Sequence, residues 1–369
     1  MLLLEPFLNH FHNMFNPTNK KQKVVSIIWG YHTHMYNFAT EENYHLHFLK
    51  VAKESGFKPY AIVKGNKENM ENDPNFDKDI EVIDYKNIFQ FIFLIIKFLL
   101  QNSLFYVNSY EWQSFIIPFL AKRTIFMAHT QPKRQTQMRQ KIQNLVYKFF
   151  TAIRLNNEAE KDFLMKQGTD MKKLFVVPLI VSQDVFKLTN TNHERKDLVY
   201  FGNVTAKKNL PTILKAFELV KEKYPEIKLN IIGKIHDESV NEIINKSVFK
   251  ADIIKHGFLP NETLVKKLNE NLIYLNSSLD EGQCVAVYDA ALSGCALCLP
   301  KIMSFEGVFE NKALFHDIYD HEKLAMNILY YINNPDIIES YKNQCINMIK
   351  KDYSIVTVEN KLKKLLLQF

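Results

Sequence analysis

Glycine is scarce in this 369-residue sequence. It holds 10, where average usage of about 7% would supply roughly 26. Asn, Lys, Ile and Phe are abundant instead, a bias of AT-rich coding more than of function. Cysteine is scarce too. Four residues, Cys284, Cys295, Cys298 and Cys345, do not make a secreted disulfide framework in a chain this long. Cys295 and Cys298 form a C-x-x-C, but inside an apolar run that reads as a buried strand. Strand alternation points such a pair to opposite faces, so they read as core thiols rather than a redox or zinc pair.

No apolar run is long enough to span a bilayer. The strongest, Phe89–Leu100 (FQFIFLIIKFLL), has 12 residues, against the roughly 20 a span needs. It reads as a buried helix, or as one whose exposed apolar face touches a bilayer. Residues 1–16 (MLLLEPFLNHFHNMFN) lack a basic n-region, and Glu5, Asn9 and His10 break their apolar run. They do not read as a signal peptide. Leu4, Phe7, Leu8, Phe11, Met14 and Phe15 recur at helical spacing before Lys20, Lys21 and Lys23. Two readings stay open for that segment: an interfacial helix with a basic flank, or a helix packed on the domain or a partner. Internal repeats and low-complexity stretches are missing. Neither the lone Asp77-x-Asp79 nor the pair His32 and His34 has the further ligands a metal site needs, so no metal is expected.

What is present bounds the class. The length suits two domains, and 47% apolar residues supply their cores. The net charge of +7 is uneven. Residues 1–190 carry 24 Lys and Arg against 17 Asp and Glu, so 24 − 17 = +7; residues 191–369 carry 23 of each, so zero. No nucleic-acid motif goes with this basic excess, which leaves an anionic membrane or an anionic substrate as the partner. Lys122, Arg123, Lys133, Arg134, Arg139 and Lys141 cluster about one apolar run, Thr124–Ala128. They are either a solvated face or the attraction for an acceptor carrying phosphate at a membrane.

The most informative stretch is Asn271–Lys301 (NLIYLNSSLDEGQCVAVYDAALSGCALCLPK). Apolar run, polar loop, small-residue segment, glycine and a second apolar run read as strand, loop, helix and strand, with Gly294 as the helix C-cap. A helix starting near Cys284 aims unpaired N–H groups at the loop, an end that attracts phosphate. Glu281 and Asp289 bracket it, roughly 12 Å apart at 1.5 Å rise per residue. A sugar nucleotide has that layout: sugar hydroxyls, a diphosphate, then a ribose diol. Two acids at this spacing also fit a βαβ unit with ordinary surface charges.

The segment resembles the donor site of retaining glycosyltransferases of family four, whose two-Rossmann-domain fold is called GT-B. The family pattern is a Glu, seven residues, a second Glu, then Ala-x-x-x-Gly. Here it is Glu281, seven residues, Asp289, then Ala290 to Gly294. Asp for the second Glu shortens the arm but keeps a bidentate acceptor. Gly202-Asn203 through Lys208-Asn209 resembles the family loop that contacts the diphosphate, with Lys208 on the family Lys and Asn203 in place of the family Arg. The family's Gly-Gly-x-Glu is replaced around Ala39, Thr40 and Glu42. His129 falls where members carry a His at an N-domain strand end. Pro178 and Phe186 match the passage between domains.

The resemblance implies an α/β GT-B protein of two Rossmann-like, doubly wound domains facing a central cleft. Residues 1–190 would form the acceptor-side domain with its N-terminal extension, 191–355 the donor domain, and 356–369 a helix crossing back. It also implies the roles. Glu281 would bind the donor sugar; Lys208 and the backbone of Gly282, Gln283, Cys284 and Val285 would stabilise the leaving diphosphate. Asp289 would hold the ribose, and His129 would contact the sugar from the other domain. Gly202 and Asn203 would line the phosphate loop, and Gly257, Phe258 and Leu259 would meet the base. The expected activity is retaining hexosyl transfer from a nucleotide-sugar, a UDP-sugar, to a glycan or lipid-linked acceptor in cell-envelope polysaccharide or glycoconjugate synthesis. It needs no cofactor and no metal. Location is expected to be cytoplasmic and peripheral, on an anionic membrane surface through residues 1–23 and 89–100. A sugar-nucleotide epimerase of the same architecture and a non-catalytic binding or scaffold protein are the alternatives.

Overall fold

The computed structural model describes residues 21–28, 44–65, 67–74, 76–108, 113–128, 137–181 and 195–369. The amphipathic segment 1–16, His32, His34, the loop at Ala39–Glu42, His129 and the stretch 182–194 with Phe186 lie outside them. Two compact units divide the chain between Tyr106 and Val107, with Phe369 grouped in the first.

The strands are short, and the inner ones are almost wholly buried while the edge strands are only partly so. β1 (Lys23–Ile28) and β2 (Lys58–Val63) each bury five of their six residues. β3 (Glu81–Asp84), β4 (Leu104–Asn108), β5 (Thr124–Met127), β6 (Ala152–Leu155) and β7 (Leu174–Val176) follow in one seven-stranded sheet, order β3-β2-β1-β4-β5-β6-β7. β8 (Asp197–Phe201), β9 (Leu229–Ile232), β10 (Ile253–Gly257), β11 (Asn271–Leu275), β12 (Ala296–Pro300) and β13 (Leu314–His316) make a six-stranded sheet, order β10-β9-β8-β11-β12-β13. The pairings are parallel. Parallel sheets are covered on both faces, which is why these strands read as unbroken apolar runs rather than alternating ones. The α/β expectation of two parallel-sheet, Rossmann-like domains is met.

The helices used below are α1 (Tyr44–Glu54), α2 (Ile88–Leu100), α3 (Gln113–Leu120), α4 (Gln137–Tyr147), α5 (Glu158–Lys166), α6 (Leu210–Lys221), α7 (Val285–Leu292) and α8 (Met303–Phe309). α7 ends as its glycine requires. Gly294 has φ +87, and a Cβ there would stand 2.9 Å from Arg195 Nη2. The two faces of the second sheet carry separate cores: Val199, Tyr274 and Leu297 belong to one, Leu198, Tyr200 and Ile273 to the other. Cys295 packs in the first and Cys298 in the second, both unbonded thiols.

Two strands escape the sequence pattern. Leu314–His316 form β13, paired to Cys298–Pro300. Three residues at a sheet edge are too few to show a period. β3 sits just after the polar run of Asp77 and Asp79 and was hidden by it. Lys53 on α1 bonds both of those acids, at 2.5 and 3.1 Å. α2 has one buried and one exposed apolar face. Phe91, Ile95 and Phe98 are buried, while Phe89 and Leu100 are each 80% exposed. Among the described residues no helix is long and apolar enough to cross a membrane.

The start of α5 is a reciprocal cap. Asn157 accepts from the Glu160 N–H at 2.9 Å, and the Glu160 carboxylate accepts from the Asn156 N–H at 2.7 Å. Burial pushes the Glu160 carboxyl up to about 7, against the bonds from Asn156 and with help from Asp280. Unfolded, the group titrates near 4.5. The folded state thus holds the proton longer, and stability falls as pH rises from about 4.5 to 7, by about 3 kcal/mol, then levels. Glu160→Gln should flatten that slope in urea titrations across a pH series. A slope unchanged by the substitution would assign it to another group.

Candidate active site

Parallel doubly wound sheets open at the carboxyl ends of the strands where the order reverses. In the second sheet that point lies between β8 and β11. Two loops leave it, 202–209 after β8 and 276–284 after β11, and they are knitted together. Asn209 adopts a left-handed backbone (φ 49) before α6. Its side-chain amide donates to the Ser277 carbonyl at 3.2 Å, and the Ser277 hydroxyl donates to the Asn209 carbonyl at 2.7 Å. The Leu279 N–H donates to the Lys207 carbonyl at 2.9 Å. Beneath them the fully buried His316 sets its ring nitrogens against the carbonyl oxygens of Asn276 and Asp317, at 3.0 and 2.8 Å.

This lattice brings Lys208 onto Glu281. Lys208 Nζ donates to Glu281 Oε1 at 2.5 Å, and Lys207 Nζ stands 3.8 Å from Oε2. Glu281 is only 7% exposed. Lys208 Nζ is also 4.0 Å from Cys284 Sγ, the residue that begins α7. Burial works against the Lys208 charge, but its contact with the Glu281 carboxylate favours it, and its pKa is raised. Burial pushes the Cys284 thiol up to about 11, so it is a neutral neighbour, not a nucleophile. Asp289 lies on α7, nearly buried. The site is therefore a held cation, its carboxylate, a second cation with room to move, and a helix start whose first N–H groups have no partner within the helix.

Other expected residues lie at neighbouring strand ends of the same sheet. Gly202 (φ +140) ends β8, and Asn203 turns its side chain to accept from the Lys234 N–H at 3.3 Å. Gly257 (φ +65) ends β10, where its carbonyl accepts from Gly233 at 2.7 Å; Phe258 is 74% exposed and Leu259 packs on the core. Gly233 itself was not singled out. A Cβ there would collide with the Gly202 backbone. In so glycine-poor a chain, a glycine directly after a buried strand was the available signal.

Gln283, expected to contribute only backbone, uses its side chain. Its Oε1 accepts from the Leu179 N–H at 2.7 Å and its Nε2 donates to the Leu179 carbonyl at 3.0 Å. The same segment is held from the other side by Arg154, 1% exposed, which donates to the carbonyls of Val177 and Pro178 at 2.8 and 2.9 Å. Gln283→Ala removes two neutral hydrogen bonds and should cost roughly 1–3 kcal/mol in denaturant unfolding. Gln283→Glu sets a carboxylate against the Leu179 carbonyl and should cost no less. Full stability in both variants would show the clamp to be idle.

Residues 182–352 match the family model described as glycosyl transferases group 1. The chain is 22% identical over 207 residues to poly(glycerol-phosphate) alpha-glucosyltransferase of Bacillus subtilis (strain 168), covering 53% of this chain and 30% of that enzyme. The match thus spans under a third of that relative's length. HepE of Anabaena, solved in complex with UDP, superposes with a TM-score of 0.76 at 12% identity, over 94% of this chain and 100% of that one. TarM of S. aureus superposes at 0.70 and 11%, over 95% and 99%. At such identities the structural likeness is one of fold. The protein has the GT-B fold, and its residues 182–352 carry the group 1 glycosyl transferase pattern on it.

Proposed function

We propose that the protein is a retaining glycosyltransferase of the family-four type, moving a hexosyl group from a UDP-sugar to a glycan or lipid-linked acceptor. The observation that carries the reading is the Lys208–Glu281 pair at 2.5 Å, set at the switch point with Lys207 beside it. The relatives support the donor and acceptor classes. HepE has been solved with UDP and with UDP-glucose, TarM with alpha-GlcNAc-glycerol and UDP, and the B. subtilis relative is a glucosyltransferase on poly(glycerol-phosphate).

In the proposed reaction the bond from the anomeric carbon to the diphosphate oxygen breaks. The acceptor hydroxyl oxygen bonds to that carbon from the same face, and its proton passes to the departing diphosphate. Charge gathers on the leaving group, so stabilising it is the chief demand. Lys208 meets it, together with the N–H groups of Gln283 to Val285. Lys207 stands in for the family Arg, since Asn203 at that position carries no charge and is turned to Lys234. Glu281 binds the sugar hydroxyls, Asp289 the ribose diol, and His129 the sugar. No metal takes part, because the cations and helix end supply the positive charge. Cell-envelope polysaccharide or glycoconjugate synthesis on the cytoplasmic face of a membrane is the proposed setting, with residues 1–23 and 89–100 as the peripheral attachment.

A nucleotide-sugar panel with and without lipid extract tests the reading. Acceptor-dependent nucleotide release supports transfer; isomerisation without acceptor means an epimerase, and neither means a binding protein. Once the donor is found, Glu281→Gln and Lys208→Ala should each lower turnover by more than about tenfold with the fold intact. Asp289→Ala should weaken donor binding by about 1.5–3 kcal/mol in calorimetry, the worth of a charge-assisted hydrogen bond. Normal turnover in the first two variants would displace the donor site from Lys208 and Glu281.

A further inference from the structure

We propose that α3 and α4 present a docking face for an anionic lipid bilayer. On α3, Ile116, Phe119 and Leu120 share one helical stripe. On α4 and the turn after it, Ile142, Leu145 and Phe149 do the same. All six are between 46% and 57% exposed. The stripes join, for the rings of Phe119 and Phe149 lie 4.3 Å apart. These side chains do not belong to the core. Ile117, Val146, Tyr147 and Phe150 fill that role and are buried. Both segments therefore have a second apolar face.

Charge decides what covers it. From Trp112 to Asn157 the sequence holds no Asp or Glu and eight Lys or Arg, of which Arg154 is buried on the Val177 and Pro178 carbonyls and adds nothing to the face. Lys122, Lys141 and Lys148 are exposed, the last two next in sequence to Ile142 and Phe149. Lys173 adds its ammonium there by donating to the Lys148 carbonyl at 2.7 Å. A bilayer with anionic headgroups takes both parts, the apolar chains at the acyl boundary and the lysines at the headgroups. A soluble polyanion would match the lysines and leave the apolar stripes in water. A second copy of this chain, joined about a two-fold axis through this face, would set like charges against each other. The face is separate from the Lys208–Glu281 pair, so this inference goes beyond the transfer reading and stands or falls without it.

Co-sedimentation of the full-length protein tests it, with vesicles of phosphatidylcholine alone and of phosphatidylcholine and phosphatidylglycerol in equal parts. The proposal expects binding to the anionic vesicles that weakens with salt. Phe119→Ser/Phe149→Ser and Lys141→Glu/Lys148→Glu should each weaken it by about tenfold or more, with circular dichroism and melting unchanged. Phe89→Ser/Phe93→Ser on α2 serves as the comparison. No binding by the full-length protein overturns the proposal. So does binding lost only in the α2 variant, or binding that the Phe119→Ser/Phe149→Ser pair leaves intact while heparin competes fully. A dimer that this pair converts to monomers, without vesicle binding, also overturns it and assigns the face to a second copy.

Discussion

A nearly buried carboxylate has to be answered by a cation, and Glu281 is answered by Lys208 at 2.5 Å. Left alone, a buried charge costs several kcal/mol. The two residues are 73 positions apart, so the pair exists only if the loops after β8 and β11 are fixed against each other. Ser277, Asn209, Leu279 and the Lys207 carbonyl do that with backbone and neutral side-chain bonds. His316 braces the same loop from β13. The edge strand that sequence periodicity missed is thus part of what holds the site.

The pair also suits a site that must accept and release an anion. Lys208 is held and its charge is secure. Lys207, at 3.8 Å from the same carboxylate and 42% exposed, has less to lose by turning to a new partner. One fixed and one adjustable cation can offset a diphosphate without leaving Glu281 unpaired when the site is empty. The clamp between Gln283 and Leu179 restrains the far end of the loop. Arg154 does the same for the segment it meets, reaching two carbonyls from a buried position.

Burial or a facing charge occupies groups elsewhere that look reactive in the sequence. The C-x-x-C thiols sit in different cores on two faces of one sheet. The D-x-D acids are spent on Lys53. Cys284, at the heart of the candidate site, is kept protonated by its surroundings. In each case the deciding quantity is how far the group is from water and which charge faces it.

The parallel α/β architecture was legible in the sequence, and so was the local pattern that marks the candidate site. Unbroken apolar runs followed by amphipathic helices require parallel strands covered on both sides, because that is the arrangement in which such runs are buried. The spacing from Glu281 to Asp289 and Gly294, and the lysine after Gly202, were legible because they are local. Tertiary structure decided the rest: that Lys207 joins Glu281, that the Gln283 side chain faces Leu179 across 104 residues, that Gly233 lies against Gly202, and that the apolar stripes of α3 and α4 meet in solvent. Periodicity records only whether a residue is buried within its own element. Which distant group it meets depends on how two loops or two helices come together, and that is fixed by packing.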